Sequence, residues 1–299
     1  MNLMYKKNRF IFLALVFTGI VSLAISAWIF TRPKPEPRFD GDRAYEDVKR
    51  QLSFGPRTTG SKAQDLFISW LHDNLMTAGW QPSIQQTGMM GHTLKNIIAR
   101  RGETPPRLIL LAHYDSRLVA DNDPDLQKRG QPVPGADDGA SGVAVLLELA
   151  RVLPVNTVPT WLVFLDAEDN GNIPGWDWIL GSRAFAATLT DKPQAVILVD
   201  MIGDADLNIY KERNSDPALT SQIWNVAKSL GYDKAFIPEY KYRVLDDHIP
   251  FVEAGIPAVD IIDLDYPYWH TTSDTADKVS PGSLKIVGET LLKWVLSQK

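Results

Sequence analysis

Arg107–Ala112 (RLILLA), Gly142–Val152 (GVAVLLELARV) and Trp161–Leu165 (WLVFL) follow one another within residues 107–165, and their reading decides the fold. The first and third are short apolar runs bounded by polar residues, as expected of strands buried on both faces. The second is apolar apart from Glu148 and Arg151, so it reads as a buried helix. Strand, helix and strand in that order make a crossover unit whose strands run parallel. Working toward the C-terminus, Ala195–Val199 and Ala258–Ile262 are further strands, and Leu219–Leu230 is helical. Ser280 and Pro281 form an N-cap and first-turn pair for a final helix. Toward the N-terminus, Asn96–Arg100 is strand-like and Ala44–Leu52 helical. Leu66, Phe67, Trp70, Leu71 and Leu75 share one face of a helix that Ser61, at the end of the turn-rich GPRTTGS, is placed to cap. The expected fold class is α/β, a three-layer sandwich with a central, mostly parallel mixed sheet between helices.

Composition narrows the chemistry. The net charge of −5 offers no basic footprint for nucleic acid. Cysteine is absent, so disulfides and thiolate metal ligands are excluded, and any metal site must use His, Asp and Glu. The five histidines are His72, His92, His113, His248 and His270.

Residues 10–30 form an uncharged run of 21 residues, long enough as a helix to cross the roughly 30 Å hydrocarbon core of a bilayer. Lys6, Lys7 and Arg9 precede it and favour a cytoplasmic residue 1–9 segment. We read 10–30 as an uncleaved signal anchor, with a cleaved signal peptide ending near Ala24 and Ser26 as the rival reading. Both readings export the remainder. The proline-rich stretch of residues 31–39 then reads as a stiff linker, and 40–299 as one extracytoplasmic catalytic domain.

The strand ends carry the functional signal. LILLA leads into His113 and Asp115, WLVFL into Asp166, Glu168 and Asp169, AVILV into Asp200, and the run after Ala258 into His270. Asp137 and Asp138 stand in the loop PGADDGASG before the buried helix. In a parallel sheet these groups collect at one edge, where ligands of such folds bind. Any one has a plain reading: an Asp before a helix is commonly an N-cap, and Asp115 or Asp166 suits a role orienting a ligand. Together, so many carboxylates raise one another's pKa, and a divalent cation removes that cost. Zinc accepts imidazole and carboxylate together, whereas magnesium and calcium favour oxygen alone.

The ordered motifs HYDS, PGADDGASG, FLDAEDNG, GSRAFA, LVDMIG, DDHIPF and WHTTSDT resemble the zinc aminopeptidases and their relatives, the glutaminyl cyclases. The resemblance spans about residues 55–277 and implies a zinc exopeptidase-like fold. It places metal ligands at Asp138, Asp169 and His270, and the general acid/base at Glu168. A second metal, if bound, would use His113 and Asp200 with Asp138 as the bridge. Many family members carry Glu where this chain has Asp169, so the metal must lie closer to that strand; bacterial glutaminyl cyclases are similar in this.

Three features lean toward a cyclase. The 11-residue segment Asn170–Leu180 (NGNIPGWDWIL) is longer than in typical aminopeptidases and carries Trp176 and Trp178, one of which is expected to wall the substrate pocket. Trp269 directly precedes His270. DDHIPF resembles the cyclase form of that loop, which implies that Asp247 hydrogen-bonds the substrate, with Asp200 beside it; for His248 a structural hydrogen bond is the favoured reading. The expected activity is conversion of N-terminal Gln of peptides and proteins to pyroglutamate with release of ammonia. The alternative is a zinc aminopeptidase, and the third reading is an inactive binding module.

Overall fold

The alternation of apolar runs becomes a six-stranded sheet in the computed structural model, which describes residues 36–298. The elements in chain order are α1 (Gly41–Leu52), α2 (Lys62–Thr77), β1 (Gln81–Met89), β2 (His92–Arg100), β3 (Leu108–His113), α3 (Ala140–Val152), β4 (Thr160–Leu165) and α4 (Leu180–Ala186). They continue with β5 (Ala195–Asp200), β6 (Ile209–Lys211), α5 (Pro217–Ser229), β7 (Phe236–Tyr240), α6 (Ile249–Glu253), β8 (Ala258–Ile262) and α7 (Pro281–Ser297). The expected anchor at 10–30 lies outside the described residues. Among the described residues no helix is long and apolar enough to cross a membrane.

The strand order is β1-β2-β4-β3-β5-β8. β4, β3, β5 and β8 are parallel neighbours, so their carboxyl ends share one edge. β1 and β2 are antiparallel to each other, and β2 is antiparallel to β4. β1 escapes a reading of apolar pattern because its residues are mostly exposed and Gln-rich. Its partner starts at His92 rather than Asn96, because pairing with β1, not burial, extends that end. Met90 and Gly91 join the two strands with φ of 50° and 85°, the doubly left-handed turn whose twist suits a two-residue hairpin.

Side-chain alternation splits the core. Leu108, Leu110 and Ala112 of β3 join Leu162, Phe164, Ile197 and Val199 on one face, under α1, α2, α3, α5 and α7. Ile109 and Leu111 join Val163, Leu165, Val196 and Leu198 on the other, covered by Phe185 of α4 and Phe251 of α6. Burial of such side chains stabilises by about 1.5–3 kcal/mol each. The expected caps form: Ser61 accepts from the Gln64 amide at 3.1 Å and Ser280 from the Gly282 amide at 3.1 Å.

Candidate metal centre and active site

Six of the expected residues meet at the carboxyl edge of the sheet. His113 is the last residue of β3 and Asp200 the last of β5. Asp138 comes from the loop before α3, Glu168 and Asp169 from the chain leaving β4, and His270 from the loop after β8. All six are at most 7% exposed.

The side chains form two ligand sets that share Asp138: His113, Asp138 and Asp200, and Asp138, Asp169 and His270. In each, the ligand atoms lie within 4.8 Å of one another. His113 Nε2 is 3.0 Å from Asp200 Oδ1 and 3.2 Å from Asp138 Oδ1. His270 Nε2 is 2.8 Å from Asp169 Oδ1 and 3.8 Å from Asp138 Oδ2. Asp138 Oδ2 and Asp169 Oδ2 are buried with no hydrogen-bond partner, a costly state for a carboxylate that a cation relieves. The donor set is imidazole nitrogen and carboxylate oxygen, with three protein ligands per position, and it fits zinc.

Local structure explains why Asp138 is free for this. α3 has no side-chain cap, and its N-cap is Gly139 at φ 95°. A Cβ at Gly139 would meet the Asp115 carbonyl oxygen at 2.6 Å, so only glycine lets the loop pass the end of β3. Asp137 is turned away from both sets and accepts from the Gly203 amide at 2.6 Å. The carboxylate of Asp274 accepts from the Asp137 and Asp138 amides at 2.9 and 3.3 Å and from the Tyr266 hydroxyl at 2.6 Å. Asp274 lies inside WHTTSDT, but its task is visible only once that loop meets the other.

Asp115 and Asp166 stand outside both ligand sets. Asp115 accepts from the Glu168 and Asp169 amides at 3.1 and 3.3 Å, and its Oδ1 is 3.6 Å from His113 Nδ1. Asp166 accepts from the Lys95 amide and the Thr59 hydroxyl, both at 2.8 Å.

A cavity of about 230 Å³ opens above the ligands, lined by Asp138, Glu168, Asp169, Trp178, Asp200, Asp246, Leu245 and Trp269 among others. The Trp178 indole lies parallel to the His270 ring, with centroids 6.0 Å apart, and Trp269 tilts against the same ring at 3.9 Å. Gly171 makes room, since a Cβ there would meet the Trp178 indole at 2.0 Å. Trp176 requires a correction. It stacks on His92 at 3.5 Å and packs with Leu94, Ala167 and Leu180, pinning the insertion to the β1–β2 hairpin. The remaining histidines lie away from the centre: His72 is beside Asp73 on the surface, His92 stacks on Trp176, and His248, for which a structural role is expected, is buried 3.3 Å from Glu212 Oε2.

A second correction concerns Asp247. It is fully buried, and its neighbour Asp246 is the aspartate that lines the cavity. Adjacent residues of the turn before α6 face different sides, and DDHIPF alone does not say which Asp faces inward.

Burial, reinforced by the charge of Asp246, pushes the Glu168 carboxyl well above the ordinary range. Burial and then Asp200 push Asp246 up to about 7. Burial and then Asp138 push Asp169 up to about 7. Asp138 goes the other way: burial opposes its charge, but the hydrogen bond from His113 and the charges of His113, His270 and Arg117 hold it below the usual value. The centre therefore offers Asp138 as a carboxylate held in its charged form and Glu168 as a carboxyl whose raised pKa favours holding a proton.

Known proteins are similar in both sequence and fold. The crystal structure of Tannerella forsythia glutaminyl cyclase superposes with a TM-score of 0.83 at 34% identity, covering 88% of this chain and 100% of that one. A leucine aminopeptidase precursor from Bacteroides thetaiotaomicron superposes equally well, TM-score 0.83 at 34% identity, covering 88% of this chain and 99% of that one. The glutaminyl-peptide cyclotransferase of the snake Boiga irregularis is 27% identical over 270 residues, 74% of this chain and 71% of that protein. Residues 96–295 match Peptidase family M28, which takes in every expected ligand and both indoles of the cavity. The chain is a member of Peptidase family M28.

Proposed function

We propose that this chain is a zinc-dependent glutaminyl-peptide cyclotransferase acting on the N-terminal Gln of peptides and proteins. The observation that carries the reading is the cavity itself: Trp178 and Trp269 stand against His270 at the mouth of a small chamber that also holds Glu168. Such a chamber suits a glutamine side chain folded back on its own amine. Asp138, Asp169 and His270 would hold zinc, which when bound would supply Lewis acidity toward the side-chain amide carbonyl.

The chain's own residues do the rest. The indoles hold the side chain bent and keep water from the reacting amide. Glu168 accepts a proton from the α-amine as its nitrogen bonds to the side-chain amide carbon Cδ, and returns it to the amide nitrogen as the Cδ–nitrogen bond breaks and ammonia leaves. Asp246 and Asp200, both lining the cavity, orient the amide.

A zinc aminopeptidase is the second reading, and the observation in its favour is that His113 and Asp200 complete a second ligand set around Asp138. Incubating the zinc-loaded full chain with Gln-initiated and Leu-initiated peptides separates the two. Ammonia release with an otherwise intact peptide is the expected result, and loss of the terminal residue from the Leu peptide would overturn it. We also propose that residues 10–30 anchor the domain on the outer side of a membrane. Their uncharged length and the preceding Lys6, Lys7 and Arg9 support this. Recovery of the full chain in the soluble fraction without cleavage would refute it.

A further inference from the structure

Beside the reacting groups lies Arg117, a buried arginine that is neither a candidate ligand nor part of the cavity lining. Its side chain is 1% exposed, yet it carries a full set of partners. Nε and Nη2 grip the two carboxylate oxygens of Asp121 at 2.7 and 2.6 Å. Nη1 donates to the Asp169 carbonyl at 2.8 Å and lies 3.7 Å from Asp169 Oδ1. Nη2 also donates to the Gly171 carbonyl at 3.1 Å. The guanidinium sits 5.1 Å from the Trp178 ring centre.

The same stretch of chain reaches the other ligand. Asp121 Oδ1 lies 3.5 Å from His270 Nδ1, the ring nitrogen that faces away from the candidate metal position. The Asn122 amide donates to the His270 carbonyl at 3.2 Å, and the Leu118 amide donates to Asn170 Oδ1 at 3.1 Å. His270 needs this support, because its backbone is left-handed at φ 56°, a conformation that costs energy in any residue but glycine.

We propose that Arg117, with Asp121, is a positioning residue that sets Asp169, His270 and Trp178 in one geometry, so that metal affinity and the shape of the substrate wall are fixed together. Arginine suits the post because its planar fork satisfies a carboxylate and two carbonyls while presenting a flat face toward the indole. A lysine has one nitrogen and cannot do all of this. The proposal deepens the cyclase reading only in its substrate arm; its metal arm stands whichever peptide reaction the centre performs.

The test uses the full chain with Arg117→Ala, Arg117→Lys and Asp121→Asn. Zinc affinity is read by competition with a chelator, and the ligand field by the visible spectrum of the cobalt-substituted protein. For Arg117→Ala the zinc affinity should fall roughly tenfold to hundredfold, the range for losing a group that orients a ligand. The cobalt bands should shift, and KM for a Gln-initiated peptide should rise about tenfold. Arg117→Lys should recover little of this, whereas millimolar methylguanidinium added to Arg117→Ala should restore it in part. Should Arg117→Ala fail to fold, Asp121→Asn decides: its site is half exposed, and it should still lower zinc affinity and shift the cobalt spectrum. Zinc affinity and cobalt spectrum within twofold and unshifted in the folded variants would overturn the proposal. A change in metal properties alongside cleavage of Leu peptides would instead sink the cyclase reading and leave this one standing.

Discussion

The two halves of the centre are built in different ways. His113 and Asp200 project from the last residues of β3 and β5, held by the register of adjacent parallel strands. Asp169 and His270 come from irregular backbone. They depend on Asp115 gripping the amides of 168 and 169, on left-handed φ values of 56° at both Ala167 and His270, and on the Arg117–Asn122 stretch. A strand end is a rigid mount that comes with the sheet. A loop mount must be assembled from buried polar contacts, but it can also carry the indoles that shape a pocket. In this protein the sheet mounts two of the candidate ligands, His113 and Asp200, and the loops carry the set Asp138, Asp169 and His270 together with the indoles beside it.

Asp138 is the one ligand both halves use, so it tests the comparison most severely. Asp138→Ala should strip zinc from the protein and lower turnover by about a thousandfold or more, the worth of several kcal/mol of transition-state stabilisation. Metal analysis after gel filtration reads the first effect and ammonia release the second. Retention of stoichiometric zinc would mean that one half binds metal without the shared bridge.

Glu168→Gln is expected to cost roughly a hundredfold or more in kcat while zinc content stays unchanged. The substitution keeps the size of the side chain and removes its ability to carry the proton. Near-native turnover would move the proton carrier to Asp246, a cavity carboxyl outside both ligand sets that burial also pushes upward.

A smaller effect is expected for the wall. Trp178→Ala should raise KM for Gln peptides roughly tenfold, in keeping with the burial energy of a large apolar group, and Trp269→Ala less, since that indole is 37% exposed. Trp176→Ala should leave KM alone and lower thermal stability, because its partners are His92 and the hairpin. Equal KM effects at 176 and 178 would erase the distinction drawn between them.

The smallest effect concerns how the loop half is held. Glu212 accepts from the amides of Asn214, Ser215 and Val244, and Val244 leads to Asp246. Burial opposes its charge, but His248 and these amides hold it down to about 2, against an ordinary 4.5. A depressed carboxyl stabilises the fold fully above its unfolded pKa and loses that contribution as pH falls through the folded one. Glu212→Gln should therefore cost about 2 kcal/mol at pH 7. In denaturant melts the gap from the parent should narrow below pH 4.5 and nearly close by pH 2. A gap of constant size would assign the role of Glu212 to shape rather than charge.

Much of the ligand set was legible from the chain alone because each residue terminates an apolar run or sits in an ordered motif. β3 and β5 announce themselves by unbroken burial and β4 by burial broken only at Trp161, and the register of the parallel strands brings His113 and Asp200 to one edge, with Asp169 on the chain that leaves β4. β1 left no such trace, since an exposed edge strand is specified by pairing and by the Met90–Gly91 turn rather than by apolar spacing.

The sequence by itself determined the parallel strands, the crossover helix, the candidate ligands and the place of Glu168 beside them, because strand burial and charge placement are local properties of the chain. Only the tertiary structure decided that Trp178 rather than Trp176 stands over His270, and that Asp246 rather than Asp247 faces the cavity. It alone brought Asp274 to the amides of Asp137 and Asp138 and Arg117 to the carbonyls of Asp169 and Gly171. Those choices depend on loops meeting loops, where the direction of a side chain follows from backbone conformation and from partners distant in sequence, so no short-range pattern records them.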